Sequence, residues 1–157
     1  MVDFYIAEKV SDRITAIISL TGEIMYLING VERSLLIDTC VGVGNLRDFV
    51  EKLTEKPLTV LLTHGHVDHA MGAPEFAGNN GKEECVIYMN HADTGVYLEM
   101  NSIENRKKYV MAGLGGQMSE DLEATFLPPA PMTFKDLKDG DKFELGGMKC
   151  MLSQGTL

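Results

Sequence analysis

A chain of 157 residues has the length of one domain and is long enough to bury a core. With 45% hydrophobic and 24% charged residues it reads as an ordinary globular protein, and no apolar run approaches the roughly 20 residues that span a bilayer. A net charge of −9 repels polyanions and the one basic cluster, "NRKKY" at 105–109, is short, so neither a nucleic acid nor a membrane is an expected partner.

The opening "MVDFYIAEKV" has neither a basic nor an apolar leader region, and Cys40, Cys85 and Cys150 are odd in number with no CxxC spacing. Both features predict a reducing, cytoplasmic setting, with Cys40 a small core residue rather than a metal ligand. The first forty residues read as a strand meander. "DFYIAEKV" and "RITAIISL" are β-rich, and "EIMYLING" passes through Asn29-Gly30 into "ERSLLID", a strong hairpin signal. Ile24, Tyr26 and Ile28 alternate with Met25 and Leu27, which predicts a strand buried on both faces.

The period then changes. Leu46, Phe49, Val50 and Leu53 form one helical stripe over 45–53, with Asn45 as its expected cap and Pro57 closing the element. "LTVLL" (58–62) reads as a buried strand. Strand, helix and strand then make a crossover that leaves "THGH" at a strand's carboxyl end, where α/β sheets place their chemistry. Downstream, "ECVIYM" (84–89) predicts a strand and "NHADTGVYLEM" (90–100) a helix capped by Asn90. Residues 101–130 read as a mixed helix-and-loop insertion, and "DGDKFELGGMKCML" (139–152) as a hairpin turning at Gly146-Gly147. The expected class is α+β, mixed α/β, in a single domain over 1–157.

"LLTHGHVDHAMGA" (61–73) holds three of the four histidines. His64 and His66, two apart on extended backbone, point the same way, and Gly65 between them leaves that face uncrowded. Converging imidazoles are ligands for zinc and for iron, and Asp68 and His69 add a carboxylate and a third imidazole from the following turn. A divalent cation there lowers the pKa of bound water from 15.7 to about 7, and a neighbouring carboxylate orients that water and takes its proton. The donor set is the one that metal-assisted hydrolysis requires.

Thr63-His64-Gly65-His66-Val67-Asp68-His69-Ala70-Met71-Gly72 resembles the T-H-x-H-x-D-H-x-x-G signature of the metallo-β-lactamase-fold superfamily, near its hydroxyacylglutathione-hydrolase-like branch. "LLIDTC" and "LKDGDKFELGGMK" resemble flanking pieces of that fold, with Cys40 where glycine is usual. The resemblance implies an αβ/βα sandwich with metals at one edge. It implies that His64 and His66 hold one metal and Asp68 and His69 a second, with zinc expected and iron or manganese alternatives. It also implies that Asp68 orients the attacking water. Asp38 has two readings, a carboxylate that holds a ligand histidine in place and a plain strand-end turn residue.

The later ligands of the family pattern are missing from this sequence. "MLSQGTL" ends it, Gly155-Thr156 matches part of a G-H-T region without its histidine, and His91 is expected to have no metal role. A C-terminally incomplete fold leaves an apolar sheet face and an open edge, so self-association into a homo-oligomer is expected. The expected function is a metal-dependent hydrolase of a small ester, thioester, lactone or phosphoester. An iron-dependent oxidoreductase resembling persulfide dioxygenases, or a non-catalytic metal-binding relic, are the alternatives.

Overall fold

The computed structural model describes residues 3–78, 81–130 and 132–152. Four strands, β1 (Tyr5–Lys9), β2 (Ile14–Ser19), β3 (Ile24–Asn29) and β4 (Ser34–Ile37), form an antiparallel meander. Helix α1 (Leu46–Glu51) then crosses over to β5 (Leu58–Leu61), which lies parallel to β4, and β6 (Val86–Tyr88) extends the sheet in parallel beyond it. The six strands stand in sequence order. Helix α2 (Thr94–Met100) forms within the expected helix of 90–100, α3 (Ile103–Gly113) and α4 (Glu120–Glu123) lie in the expected insertion, and β7 (Lys142–Glu144) pairs with β8 (Lys149–Met151) as the expected hairpin. Among the described residues no helix is long and apolar enough to cross a membrane.

One face of the sheet carries the main core. Ile17, Met25, Leu27, Leu36 and Val60 are fully buried there with Leu46 and Val50 of α1, Tyr97 of α2 and Val110 of α3. Each such aliphatic side chain stabilises the fold by about 1.5–3 kcal/mol over its exposed state. The opposite face is covered by the β7–β8 hairpin, which brings Leu145, with Leu137, onto Leu35 and Leu61. Tyr88 and Phe143 close that contact edge to face, with ring centroids 5.0 Å apart.

The hairpin is short, and this corrects the reading of β3. Met25 and Leu27 are buried, but Ile24 is 46% and Tyr26 40% exposed, because the hairpin seats over β4 and β5 and, among the described residues, leaves the β2–β3 side of that face uncovered. Asn45 is a second correction. It sits at φ 58° with no side-chain cap bond, and Glu75 instead accepts from the Arg47 amide of the first turn at 3.1 Å. The β3–β4 hairpin does form, through a Gly30 amide bond to the Arg33 carbonyl at 2.9 Å. Gly30 is needed there because a Cβ would stand 2.2 Å from the Leu145 carbonyl, so the glycine lets the second hairpin dock. Asn90 caps as expected, its side chain accepting from the Ala92 amide, although a 3-10 turn (His91–Asp93) precedes α2. Gly155-Thr156 lies outside the described residues.

Candidate metal centre

Two loops build the site, both leaving carboxyl ends of neighbouring parallel strands: residues 38–45 after β4, and residues 62–72 after β5. The first is wound through left-handed backbone. Asp38 (φ 70°), Cys40 (φ 61°), Asn45 (φ 58°), Gly42 (φ 80°) and Gly44 (φ 82°) all have positive φ. Each non-glycine residue in that region costs about 1–2 kcal/mol, so the loop has to be held from outside.

It is held at nearly every residue. The Thr39 amide and hydroxyl both donate to the His69 carbonyl, at 2.7 and 3.0 Å. The Met71 amide donates to the Cys40 carbonyl, and the Tyr5 hydroxyl to Val43 at 2.6 Å. Arg106 of α3, fully buried, donates to the carbonyls of Gly42 (3.3 Å), Val41 (3.5 Å) and Leu127. The Thr125 hydroxyl accepts from the Gly44 amide at 2.8 Å. This frame fixes Asp38 at its start.

The buried Asp38 carboxylate is the pivot between the two loops. It accepts from the Thr63 amide at 2.8 Å, from the Thr63 hydroxyl at 2.9–3.0 Å, and stands 2.8 Å from Nδ1 of His69. The Thr63 hydroxyl is also 2.9 Å from Nδ1 of His64. Its one proton goes to Asp38, so it accepts from His64, and both imidazoles then carry their proton on Nδ1 and present a bare Nε2. Asp38 is thus a turn residue in left-handed backbone whose buried carboxylate also hydrogen-bonds the His69 imidazole.

His64, Asp68 and His69 each offer a donor atom, and these lie within 4.8 Å of one another. His69 Nε2 and Asp68 Oδ2 are 3.3 Å apart. The ring centroids of His64 and His69 are 4.0 Å apart, and His66 stands edge-on to His64 at 4.6 Å. His66 is exposed and lies beside this tight group rather than in it. Burial, with the neighbouring His69 and His66, lowers the His64 pKa below the usual imidazole value, while the Asp38 hydrogen bond raises that of His69. Two nitrogens and a carboxylate oxygen, one imidazole already aimed by a buried carboxylate, are a donor set that fits a divalent cation.

The motif glycines serve packing. A Cβ on Gly65 would stand 2.8 Å from the Asp93 carbonyl and 2.9 Å from the Tyr97 amide, so this glycine admits the start of α2 rather than clearing space between imidazoles. A Cβ on Gly72 would stand 2.2 Å from the Thr39 carbonyl. Gly72→Ala is therefore expected to destabilise the fold by about 1–3 kcal/mol through backbone overpacking. A denaturant midpoint equal to wild type would refute that reading of the contact.

A second polar group forms at the β2–β3 turn and is joined to the loop of Asp38 through Cys40. Glu23, in the β2–β3 turn, accepts from Ser19 Oγ (2.9 Å), Thr21 Oγ1, Cys40 Sγ (3.4 Å) and the Tyr109 hydroxyl (3.3 Å). Burial and the Glu23 charge push the Cys40 thiol far up, which makes it a protonated core residue, as expected. His91 is engaged elsewhere: its Nε2 is 2.9 Å from the Phe134 carbonyl and its amide donates to Asp136. Sequence reading did not single out Thr39, Arg106, Glu23 or Tyr109. In the chain Arg106 and Tyr109 stand only as members of the short basic cluster at 105–109, where the burial of Arg106 is not legible.

A family model described as the metallo-beta-lactamase superfamily matches residues 24–149. An uncharacterised protein of Mycobacterium bovis is 28% identical over 116 residues, which is 73% of this chain and 46% of that protein. The lactamase-like protein aptB of Emericella nidulans is 35% identical over 80 residues, 48% of this chain and 26% of that one. The chain thus spans about half the length, or less, of these curated relatives. A crystal structure of a metallo beta lactamase from Erythrobacter litoralis, with beta mercaptoethanol in its active site, superposes with a TM-score of 0.52 at 14% identity. The match covers 63% of this chain and 47% of that chain, and is a likeness of fold.

Proposed function

We propose, from the premise that this chain belongs to the metallo-beta-lactamase superfamily, that it is a metal-dependent hydrolase of a small ester, thioester, lactone or phosphoester. The observation that carries the reading is the convergence of His64, Asp68 and His69 to within 4.8 Å, with His69 aimed by the buried Asp38. In this reading His64, His66, Asp68 and His69 hold the metal, with zinc as the first candidate and iron or manganese as alternatives. A bound divalent cation supplies Lewis acidity and brings the pKa of a coordinated water towards neutrality. Asp68, partly open to solvent, accepts the hydrogen bond of the attacking water and takes up its proton. Thr63 and Asp38 hold the two imidazoles in the tautomer that keeps Nε2 free. Expression in metal-limited medium, then elemental analysis after loading and assay on an ester, thioester, lactone and phosphoester panel, tests this. Zinc near one ion or more per chain with turnover supports it; a chain that takes up no metal refutes it, and selective iron retention points to the oxidoreductase alternative.

We also infer self-association through the bare part of the sheet. Ile6 pairs with Ile18 and Ile18 with Ile24 on that face, and Ile6 (60%), Ile24 (46%) and Tyr26 (40%) are exposed near β1, whose outer edge pairs with no strand among the described residues. Contiguous exposed apolar surface next to a free strand edge favours association. Size-exclusion chromatography is expected to show a species larger than the 17.3 kDa chain, and Tyr26→Lys to shift it towards monomer. A clean monomer for wild type overturns the inference.

A further inference from the structure

We propose that the cavity beside Thr63 is a binding site for an aliphatic ammonium compound, its carbon chain on the apolar floor and its cationic head at the carboxylates of Asp93 and Asp139. The cavity measures about 520 Å³, a size usual for small-molecule sites. Its floor starts at Ile37 and Leu61, which pair with each other at the ends of the parallel strands β4 and β5. The cavity is therefore at the carboxyl ends of the sheet, where α/β sheets take their ligands. Leu137 and Leu152, from the side of the β7–β8 hairpin, complete the apolar surface.

Two contacts set this cavity against the histidine loop. Thr63 lines it, and the Thr63 hydroxyl is 2.9 Å from Nδ1 of His64. Asp93 lines it as well, and the Asp93 carbonyl is so close to Gly65 that a Cβ there would stand 2.8 Å away. An occupant thus touches the side chain that holds His64.

The polar groups decide which occupant fits. The Thr63 hydroxyl is engaged with Asp38 and His64. Asn90 is engaged too, since its oxygen accepts from the Ala92 amide and its NH2 donates to the Leu137 carbonyl, both at 2.9 Å. What the cavity adds is charge. Asp93 and Asp139 line it, and among the described residues no Lys, Arg or His does. The Asp93 carboxylate makes no cap bond to α2, so it is not committed to the helix that follows it. Lys138, beside Asp139 in the chain, is mostly exposed and stands 3.9 Å from Asp136. A carboxylate or phosphate is repelled by both aspartates, and a purely apolar molecule leaves them unused. An alkylammonium ion satisfies floor and rim together.

The full chain, residues 153–157 included, is tested with three six-carbon probes: hexylammonium, hexan-1-ol and hexanoate. Calorimetry is run with and without zinc, which reads this site apart from the metal centre. Hexylammonium is expected to bind more tightly than hexanol, with an affinity that falls as salt is added, and hexanoate not to bind. Asp93→Asn is expected to bind hexylammonium roughly three- to fivefold more weakly, the worth of a partly exposed ion pair, and hexanol as wild type does. Leu152→Trp, which fills the apolar end, is expected to lose both, and Asp12→Asn, an exposed carboxylate between β1 and β2, to match wild type. Melting temperatures show which variants are folded, and Asp93→Asn decides the matter if Leu152→Trp is not. No hexylammonium binding, hexanoate bound as tightly, or an Asp93→Asn variant equal to wild type overturns the proposal. Binding that appears only in Tyr26→Lys gives the cavity to a second copy of the chain and overturns it too. A chain that takes up no zinc yet binds hexylammonium refutes the metal reading and upholds this site.

Discussion

Metal uptake is expected to be lost in His64→Ala and in His69→Ala. Each change leaves two donors of the tight group of three, below the three protein ligands that catalytic zinc sites normally use. The loss should exceed the roughly 10–100-fold that removing an outer hydrogen-bond partner costs a metal site. Neither change empties the main core, since both side chains are partly exposed at the end of β5, so the fold should survive. His66→Ala is the discriminating member of the series. If His66 closes onto the cation, this variant also loses metal; if it keeps full zinc, His66 stands outside the centre, beside the group of three with its ring exposed. Elemental analysis after equilibrium dialysis against buffered zinc reads all three, and full zinc in His64→Ala or His69→Ala would end the assignment of a metal centre.

What made this centre legible in the chain was local. His64, Asp68 and His69 lie within six residues of one turn, so the spacing that identifies them is also the geometry that gathers them. The strand, crossover and hairpin order was readable for the same reason, because period and turn residues act over a few positions. Long-range packing escaped. Nothing in "EIMYLING" says that the covering hairpin ends short of β3, and nothing near Asn45 says that Glu75, thirty residues on, serves its helix. Arg106 belongs to the short basic cluster "NRKKY", yet it is buried against carbonyls of residues 41, 42 and 127. An isolated basic stretch does not disclose which of its members faces a loop sixty residues away. Gly65 was misread in its purpose for a like reason, since its close neighbours, Asp93 and Tyr97, come from another element.

Asp38→Asn should weaken metal binding about 10–100-fold while keeping side-chain shape. The amide can still accept from Thr63 through its oxygen, but it replaces a charged partner of His69 by a neutral one and places an NH2 where an acceptor stood. The metal-free protein supplies an independent readout. The Asp38 hydrogen bond raises the His69 pKa, so the pair's contribution to stability is fully present below the unfolded value near 6.5 and is lost as pH rises through the raised folded value. His64 acts in the opposite sense: burial lowers its pKa, so its contribution is present above about 6.5 and is lost as pH falls through the lowered folded value. In wild type the two trends oppose each other. In Asp38→Asn the His69 contribution goes and the His64 contribution stays, so melting temperature should rise with pH across this window more steeply than in wild type. Thermal melts of both metal-free proteins from about pH 5.5 to 8 measure the difference. Equal slopes would mean that Asp38 does not set the charge of His69, and a weakened metal site in that variant would then have to come from the loss of the Thr63 link alone.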